Sequence, residues 1–439
     1  MDIDLASIAD SIKPDGAKSL ELYFEKCEST SFSCLDNTIS SSESDFSQGF
    51  GIRVCDKDGR LGFAFCDSQG QLEKTASRAF SLCRHSTAAP GFVFPCRQKY
   101  APIPALLSKQ MHRIAALPES DAKSLFSALI EASRKGGCSA LEGSFSLESS
   151  EISIANTAGL YAAAQEASIA ASIQSKYQDS SYFAAIASQS LSSLEANLSE
   201  QGELAASHAK ASCGAKKTPS GKYDVLFELT AISSLIGDIL MPSFDSKNIR
   251  RDVSRLSGKL GQRIFSQSLT LADDPLEQNA TYSKFDGEGV ASMPKTLVEK
   301  GVVKNFLFDS RSYSLFCKQQ SQHAGETGNR GLAANEAALG NCSRGSYQSL
   351  PGIGESNLVI RPGRAKSLEQ LAGSSYIQLH SFHGTHTANT TTGDFSVVID
   401  LAYLCQKGQG GSIKKTPIRG NILTGNVFSL LGGEMTVEA

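Results

Sequence analysis

Apolar and polar positions alternate along "SLELYFEKCESTSFSCLDNTISSSESDF" (19–46), the period-two pattern of strands broken by polar turns. "GFGIRVCDKDGRLGFAF" (49–65) reads as a hairpin turning at Lys57-Asp58-Gly59. The period then lengthens. Leu72, Ala76, Ala79, Phe80 and Cys83 fall on one face of a helix, and "PGFVFPCRQKYAPIP" (90–104) reads as a linker. A second helix is expected to start under a Ser120 cap, carry Leu125, Ala128, Leu129 and Ala132 as its stripe, and end at Gly136-Gly137. Alternation returns over 141–187 with a turn at "NTAGL" (156–160), and 190–214 is Ala/Ser-rich and helical. "KKTPSG" (216–221) marks the clearest boundary. Beyond it come strand "KYDVLFEL", a helix with Ile232, Leu235, Ile236, Ile239 and Leu240 on one face, and a Gly-punctuated, strand-rich remainder.

These elements predict an α+β protein: an N-terminal α/β region with sheet and helices, then a mainly β C-terminal domain. The expected organisation is an N-terminal α+β domain (1–104), a middle α+β segment (105–218) that merges with the first or stands apart, and a β-rich domain (219–439). No fixed-period repeat is visible.

Charge narrows the partners. A formal net charge of −3 gives no basic field for nucleic acid or an anionic membrane, so neither is an expected partner. The acidic N-terminus lacks a basic segment followed by an apolar one, and no run of apolar residues is long enough to span a bilayer. Eleven cysteines, odd in number and without a CxxC pair, argue for reduced thiols and a cytoplasmic setting.

The histidines invite a metal. His380, His383 and His386 lie three residues apart in "HSFHGTHTANTTTGDFS" (380–396). On a strand His383 points away from the other two, and the segment is a poor helix former, so only a loop gathers them. None of the seven histidines is followed by Glu, which excludes H-E-x-x-H. The nearest match to a nucleophile elbow, "GDFSV", lacks its closing Gly, and "GAKKTPSGKY" has the wrong spacing for a P-loop. Carboxylates cluster at "LADDPLEQ" and at "FDGEG" (Asp286, Glu288), where general acid/base work, hard-metal binding and simple turn chemistry all remain open.

Several stretches together resemble the TldD/PmbA family, whose PmbA branch is also called TldE and whose members have been labelled modulators of DNA gyrase. The likeness runs through "GFGIRVCDKDGRLGFAF", "GKYDVLFELTAISSLIGDIL", "SGKLGQRIFSQSLTLADDP", "KFDGEGVASMPKTLVEKGVVKNFLFDSRSYS", "ESNLVIRPGRAKSLEQLA", "TTGDFS" and "PIRGNI", in order over roughly 20–430. The resemblance implies a zinc peptidase in the TldD branch, with H-E-x-x-x-H on a helix and a later Cys ligand. That branch pairs with a metal-free TldE subunit to cleave peptides such as microcin precursors and unfolded antitoxin segments. Counted without gaps, the His, Glu and His positions are Gly237, Asp238 and Pro242 here. The chain ends at Ala439, before the segment expected to hold the Cys ligand, and Cys405 lies upstream of "PIRGNI".

The resemblance therefore implies a TldE/PmbA-type subunit without catalytic residues, metal or cofactor of its own. Zinc is expected in a TldD-type partner, and the substrate is a peptide or unfolded polypeptide. His386, Asp394, Ser396, Asp286 and Glu288 are the residues expected near a substrate or partner cleft. Two alternatives stay open: a stand-alone peptidase with a His380/His383/His386 metal site, and a non-enzymatic homodimer that binds peptides or regulates a partner.

Overall fold

A computed structural model describes residues 4–278, 280–327, 339–361, 375–406, 409–413, 416–422 and 434–437. Residues 362–372 of the "ESNLVIRPGRAKSLEQLA" stretch lie outside the described residues.

The first half is built from α1 (Leu5–Ser11), β1 (Ser19–Leu35), β2 (Thr38–Cys55), β3 (Leu61–Cys66) and α2 (Leu72–Leu82). It continues through α3 (Ala105–Ala115), α4 (Glu119–Ser133), β4 (Ser139–Asn156), β5 (Tyr161–Tyr177), β6 (Ser180–Ser188) and α5 (Leu191–Ser212). The six strands form one antiparallel sheet in the order β3-β2-β1-β4-β5-β6. Strand β1 pairs with β4 from Glu21↔Asn156 to Leu35↔Glu142, so the boundary expected at 104 runs between two halves of a single sheet.

Each half repeats the order helix, three-strand meander, helix, with α3 as an additional helix ahead of the second copy. β1 starts at 19 and β4 at 139, and α2 starts at 72 and α5 at 191, offsets of 120 and 119. The repeat lives in the topology and leaves no readable period in the residues.

All the helices of this unit cover the same sheet face. Leu20, Leu22, Phe50, Ile52 and Val54 are buried under α1 and α2 at one end of the long strands. Phe32, Phe145, Ile169 and Ile173 are buried under α3, α4 and α5 at the other. The "linker" at 90–104 places Phe92 and Phe94 in a small core with Cys55, and α3 follows it directly. Helix α4 begins one residue before the expected Ser120 cap, behind Pro118, whose fixed φ suits a helix start. Ala128 of the expected stripe is exposed, and Phe126 and Ile130 are buried instead.

The second sheet face is different. Across strands β2, β1, β4 and β5 its cross-strand rows read Ser41, Ser33, Ser144, Ser172; then Glu43, Ser31, Ser146, Ala170; then Asp45, Ser29, Glu148, Ser168; then Ser47, Cys27, Ser150, Glu166. No residue in these rows is buried.

The second half holds β7 (Gly221–Phe227), α6 (Leu229–Leu235), α7 (Ser246–Arg250), β8 (Leu271–Asp273), β9 (Lys295–Glu299), β10 (Val302–Val303) and α8 (Ser310–Thr327). Strands β11 (Cys342–Ser343), β12 (Gly352–Ile353), β13 (Leu358–Ile360), β14 (Ser375–His383), β15 (Asp394–Gln406), β16 (Gln409–Ile413), β17 (Pro417–Asn421) and β18 (Glu434–Val437) complete it. Strands β14, β7, β18, β17 and β15 pair in that order, and β14 pairs back onto β15, closing a five-stranded ring. Closure removes free edges from the ring. β16 flanks β15, and β10-β9-β8-β13 form a separate sheet. One core unites Val225, Ile377, Val397 and Ile418 of the ring with Leu235, Ile239, Leu271 and Val298. No described helix is long and apolar enough to cross a membrane.

Candidate functional site

The positions of the family's zinc motif fall where the helix after β7 changes its winding. α6 passes into a π turn (Ile236–Leu240) and then a 3-10 turn (Met241–Phe244). Pro242 lacks the N–H that an α ladder would need there. Ile236, Ile239, Leu240 and Phe244 face the core, leaving Gly237 and Asp238 outward. A Cβ placed on Gly237 would meet nothing within 4 Å, so this face opens onto free space.

The histidine-rich segment comes to the same place. After β14, Gly384 takes φ +103° and starts a 3-10 turn, Thr385–Thr387. The Thr385 hydroxyl donates to Asp238 Oδ2 at 2.6 Å, laying the turn over the π turn, and His386 is exposed between them and solvent. The three histidines are not gathered. His380 stacks between His208 and Tyr403, and His383 Nδ1 lies 2.6 Å from Asp400. Zinc does not fit this donor set. Gly237 and Pro242 offer no side-chain ligand, Asp238 accepts from Thr385, and among the described residues neither it nor His386 belongs to a group of three converging ligands.

Asp394 and Ser396 lie farther along the loop that leads into β15. Asp394 accepts from the Thr392 hydroxyl at 2.6 Å and from Asn421 Nδ2 at 2.5 Å, and these bonds hold its carboxyl below the ordinary range. It organises its own turn beside Gly393, whose φ is +78°. Ser396 is exposed on β15, opposite Arg419 of β17.

Asp286 and Glu288 sit elsewhere, at a seam between the sheet and the second half. Glu288 accepts from Arg53 Nη1 at 2.7 Å, and from the backbone N–H and hydroxyl of Ser310 at 2.7 Å each, which caps α8. Arg53 holds Glu21 with its other two nitrogens, and Arg344 also binds Glu21 while donating to the Gly287 carbonyl at 2.6 Å. Glu21, Arg53 and Glu288 are each no more than 3 % exposed. Burial raises the Glu21 carboxyl, but Arg53 and Arg344 outweigh it and keep it below its ordinary value. Asp286 accepts from the N–H groups of Glu288, Val290 and Cys342, yet burial and the Glu288 charge push it up to about 7.

Asp286, Glu288 and Cys342 bring three potential metal ligands within 4.8 Å of one another. Both carboxylates are already engaged by the chain's own donors, and burial, with Glu288 and Asp286 beside it, raises the Cys342 thiol far above its usual range. The arrangement is a buried strut. At its rim Gly49 is obligatory, because a Cβ there would sit 2.2 Å from the Tyr347 ring.

A second seam joins α5 to the ring. Tyr182, His208, His380 and Tyr403 form a column of edge-to-face rings at successive centroid distances of 4.6, 4.9 and 5.2 Å. Burial, then the neighbouring His380, lowers His208 to about 4, and burial lowers His380 too. Neither Arg53 nor His208 shows its role in sequence. Arg53 sits on the polar side of an alternating strand, and His208 sits in a polar helix.

A cleft of about 240 Å³ opens between α3 and the middle of the sheet, lined by Lys26, Glu28, Met111, His112 and Glu151 among others and by none of the residues expected at a peptide cleft.

Two family models match this architecture: the PmbA/TldA metallopeptidase domain 1 over residues 20–83, and the PmbA/TldA metallopeptidase C-terminal domain over 220–437. The chain belongs to the PmbA/TldD family. An uncharacterized protein of Methanocaldococcus jannaschii is 28 % identical over 414 residues, covering 93 % of this chain and 89 % of the relative. A metalloprotease TldD homolog of Buchnera aphidicola is 24 % identical over 230 residues, 51 % of this chain and 43 % of its own. Among solved structures, TldE of Thermococcus kodakarensis superposes with a TM-score of 0.79 at 20 % identity, covering 99 % of this chain and 98 % of that one. A candidate modulator of a DNA gyrase from Thermotoga maritima gives 0.78 at 22 % identity, covering 99 % and 97 %. These structures are similar in fold.

Proposed function

We infer that this chain is the metal-free subunit of a two-component zinc peptidase, working with a TldD-type partner that carries the zinc. The observation behind this is the stretch of π and 3-10 turns after α6, where Gly237, Asp238 and Pro242 supply one carboxylate in place of two imidazoles and a glutamate. In this assignment the partner performs the hydrolysis. This chain contributes the wall around an extended peptide, with the Thr385–Thr387 turn and His386 at its mouth. Ring closure leaves few free edges for an added strand, so side chains and loops hold the peptide more than sheet augmentation does.

The test is co-purification from the source cell followed by peptide hydrolysis assays. The pair should cleave, the isolated chain should not, and mutating the partner's zinc motif should abolish cleavage. Full activity of the isolated chain would refute the assignment.

A further inference from the structure

The uncovered sheet face carries a charge pattern that the subunit role leaves unused. Its rows hold Glu43, Asp45, Glu148 and Glu166 and contain no lysine or arginine. Glu166 accepts from Ser283 and lies near Lys284, and Glu25 in the next row accepts from Tyr347, so the open charges are Glu43, Asp45 and Glu148. Every other position in the four open rows is serine, alanine or Cys27. Glu43, Asp45 and Glu148 are exposed, and no described ion pair neutralises them. The basic residue nearest in sequence, Lys26, belongs to the opposite face, where it pairs with Glu28 at 2.8 Å.

A second, independent feature has the same preference. At the closed end of this face Phe65, 45 % exposed, meets the edge of Tyr347 at 6.2 Å, an aromatic wall suited to a cation. Short hydroxyls can hydrogen-bond a backbone laid over them, and their small size leaves room for long side chains. An apolar partner would find no complementary surface in these rows, and an anionic one would be repelled.

We propose that this face binds extended polypeptide rich in lysine or arginine, and so selects basic, unfolded substrates for the peptidase complex. The proposal rests on the subunit assignment for its purpose, though the binding itself does not. Four rows span about 20 Å along the strands, enough for a peptide of about seven residues.

The test uses the full chain and two fluorescein-labelled peptides of equal length, one alternating lysine with serine and the other glutamate with serine. The lysine peptide should bind, with affinity falling as salt is added, and the glutamate peptide should not. The triple variant Glu43→Gln, Asp45→Asn, Glu148→Gln should bind about tenfold more weakly at unchanged melting temperature. Equal binding of both peptides, or undiminished binding by the triple variant, would overturn the proposal. So would a triple variant that keeps the peptide but no longer associates with the metallopeptidase partner, because the face would then be a subunit interface. Absence of cleavage by the purified pair would sink the subunit assignment alone and leave the binding result standing.

Discussion

Among the contacts that hold the six-stranded sheet to the second half of the molecule, two seams are made of opposite materials. At one, Arg53 is clamped between Glu21 and Glu288 with almost no solvent contact. At the other, His208 and His380 are packed neutral between two tyrosines. Taking charges out of water is costly, and mutual pairing only offsets that cost, so the first seam tolerates no missing member. The second asks only that its imidazoles stay unprotonated. A charged seam fails by losing a partner, and a histidine seam fails by gaining a proton.

Arg53→Met is the strongest way to break the contrast. It leaves buried Glu288 without its ion-pair partner and Glu21 with Arg344 alone, and should cost about 3–5 kcal/mol in denaturant unfolding. A loss under about 1 kcal/mol would mean that the seam is hydrated. Glu288→Gln keeps the Arg53–Glu21 pair but weakens the cap on α8, so a smaller loss of about 1–3 kcal/mol is expected in the same measurement.

Acid should separate the seams without mutation. His208 is depressed from 6.5 to about 4, so its contribution is complete above pH 6.5 and is lost as the pH falls through 4. Glu21 is depressed from 4.5, so its contribution persists until the pH falls below that value. Asp286 is raised from 3.8 to about 7, so its contribution is full below pH 3.8 and is lost as the pH rises through 7. Between pH 6.5 and 4.5 protection from hydrogen exchange, taken relative to the intrinsic rate at each pH, should therefore fall in α5 and β14 before it falls in β1 and β2. His208→Phe should keep the ring column and flatten that dependence, with little change at neutral pH. The smallest effect is expected at Gly237→Ala, away from both seams. Its Cβ meets open space, so the melting temperature should rise by the equivalent of about 0.5–1 kcal/mol.

Local periodicity made most elements legible. The alternation over 19–46 and 141–187 corresponds to the long strands, and Leu72, Ala76 and Ala79 do lie on the buried face of α2. Helix α3 is not legible in the sequence because its apolar positions, Leu107, Met111 and Ile114, span barely two turns beside a proline-rich segment. What depends on distant residues was illegible for a different reason. Arg53 and Glu288 are 235 positions apart, and nothing local distinguishes either from a solvated charge. The same holds for the approach of Thr385 to Asp238, which brings two separately noticed segments together. The resemblance supplied the zinc-motif positions, and geometry then placed the histidine turn over them.

The doubled helix–meander–helix plan of the first half also divides the seams between its two copies. Two units meet through one antiparallel pairing, β1 with β4, and keep their helices on the same side, the arrangement a symmetric dimer of half-length chains would have. The two copies differ at the seams: the first carries Glu21 and Arg53, and the second a longer last helix that carries His208. Two topologically equivalent units therefore grip the second half by unlike chemistry.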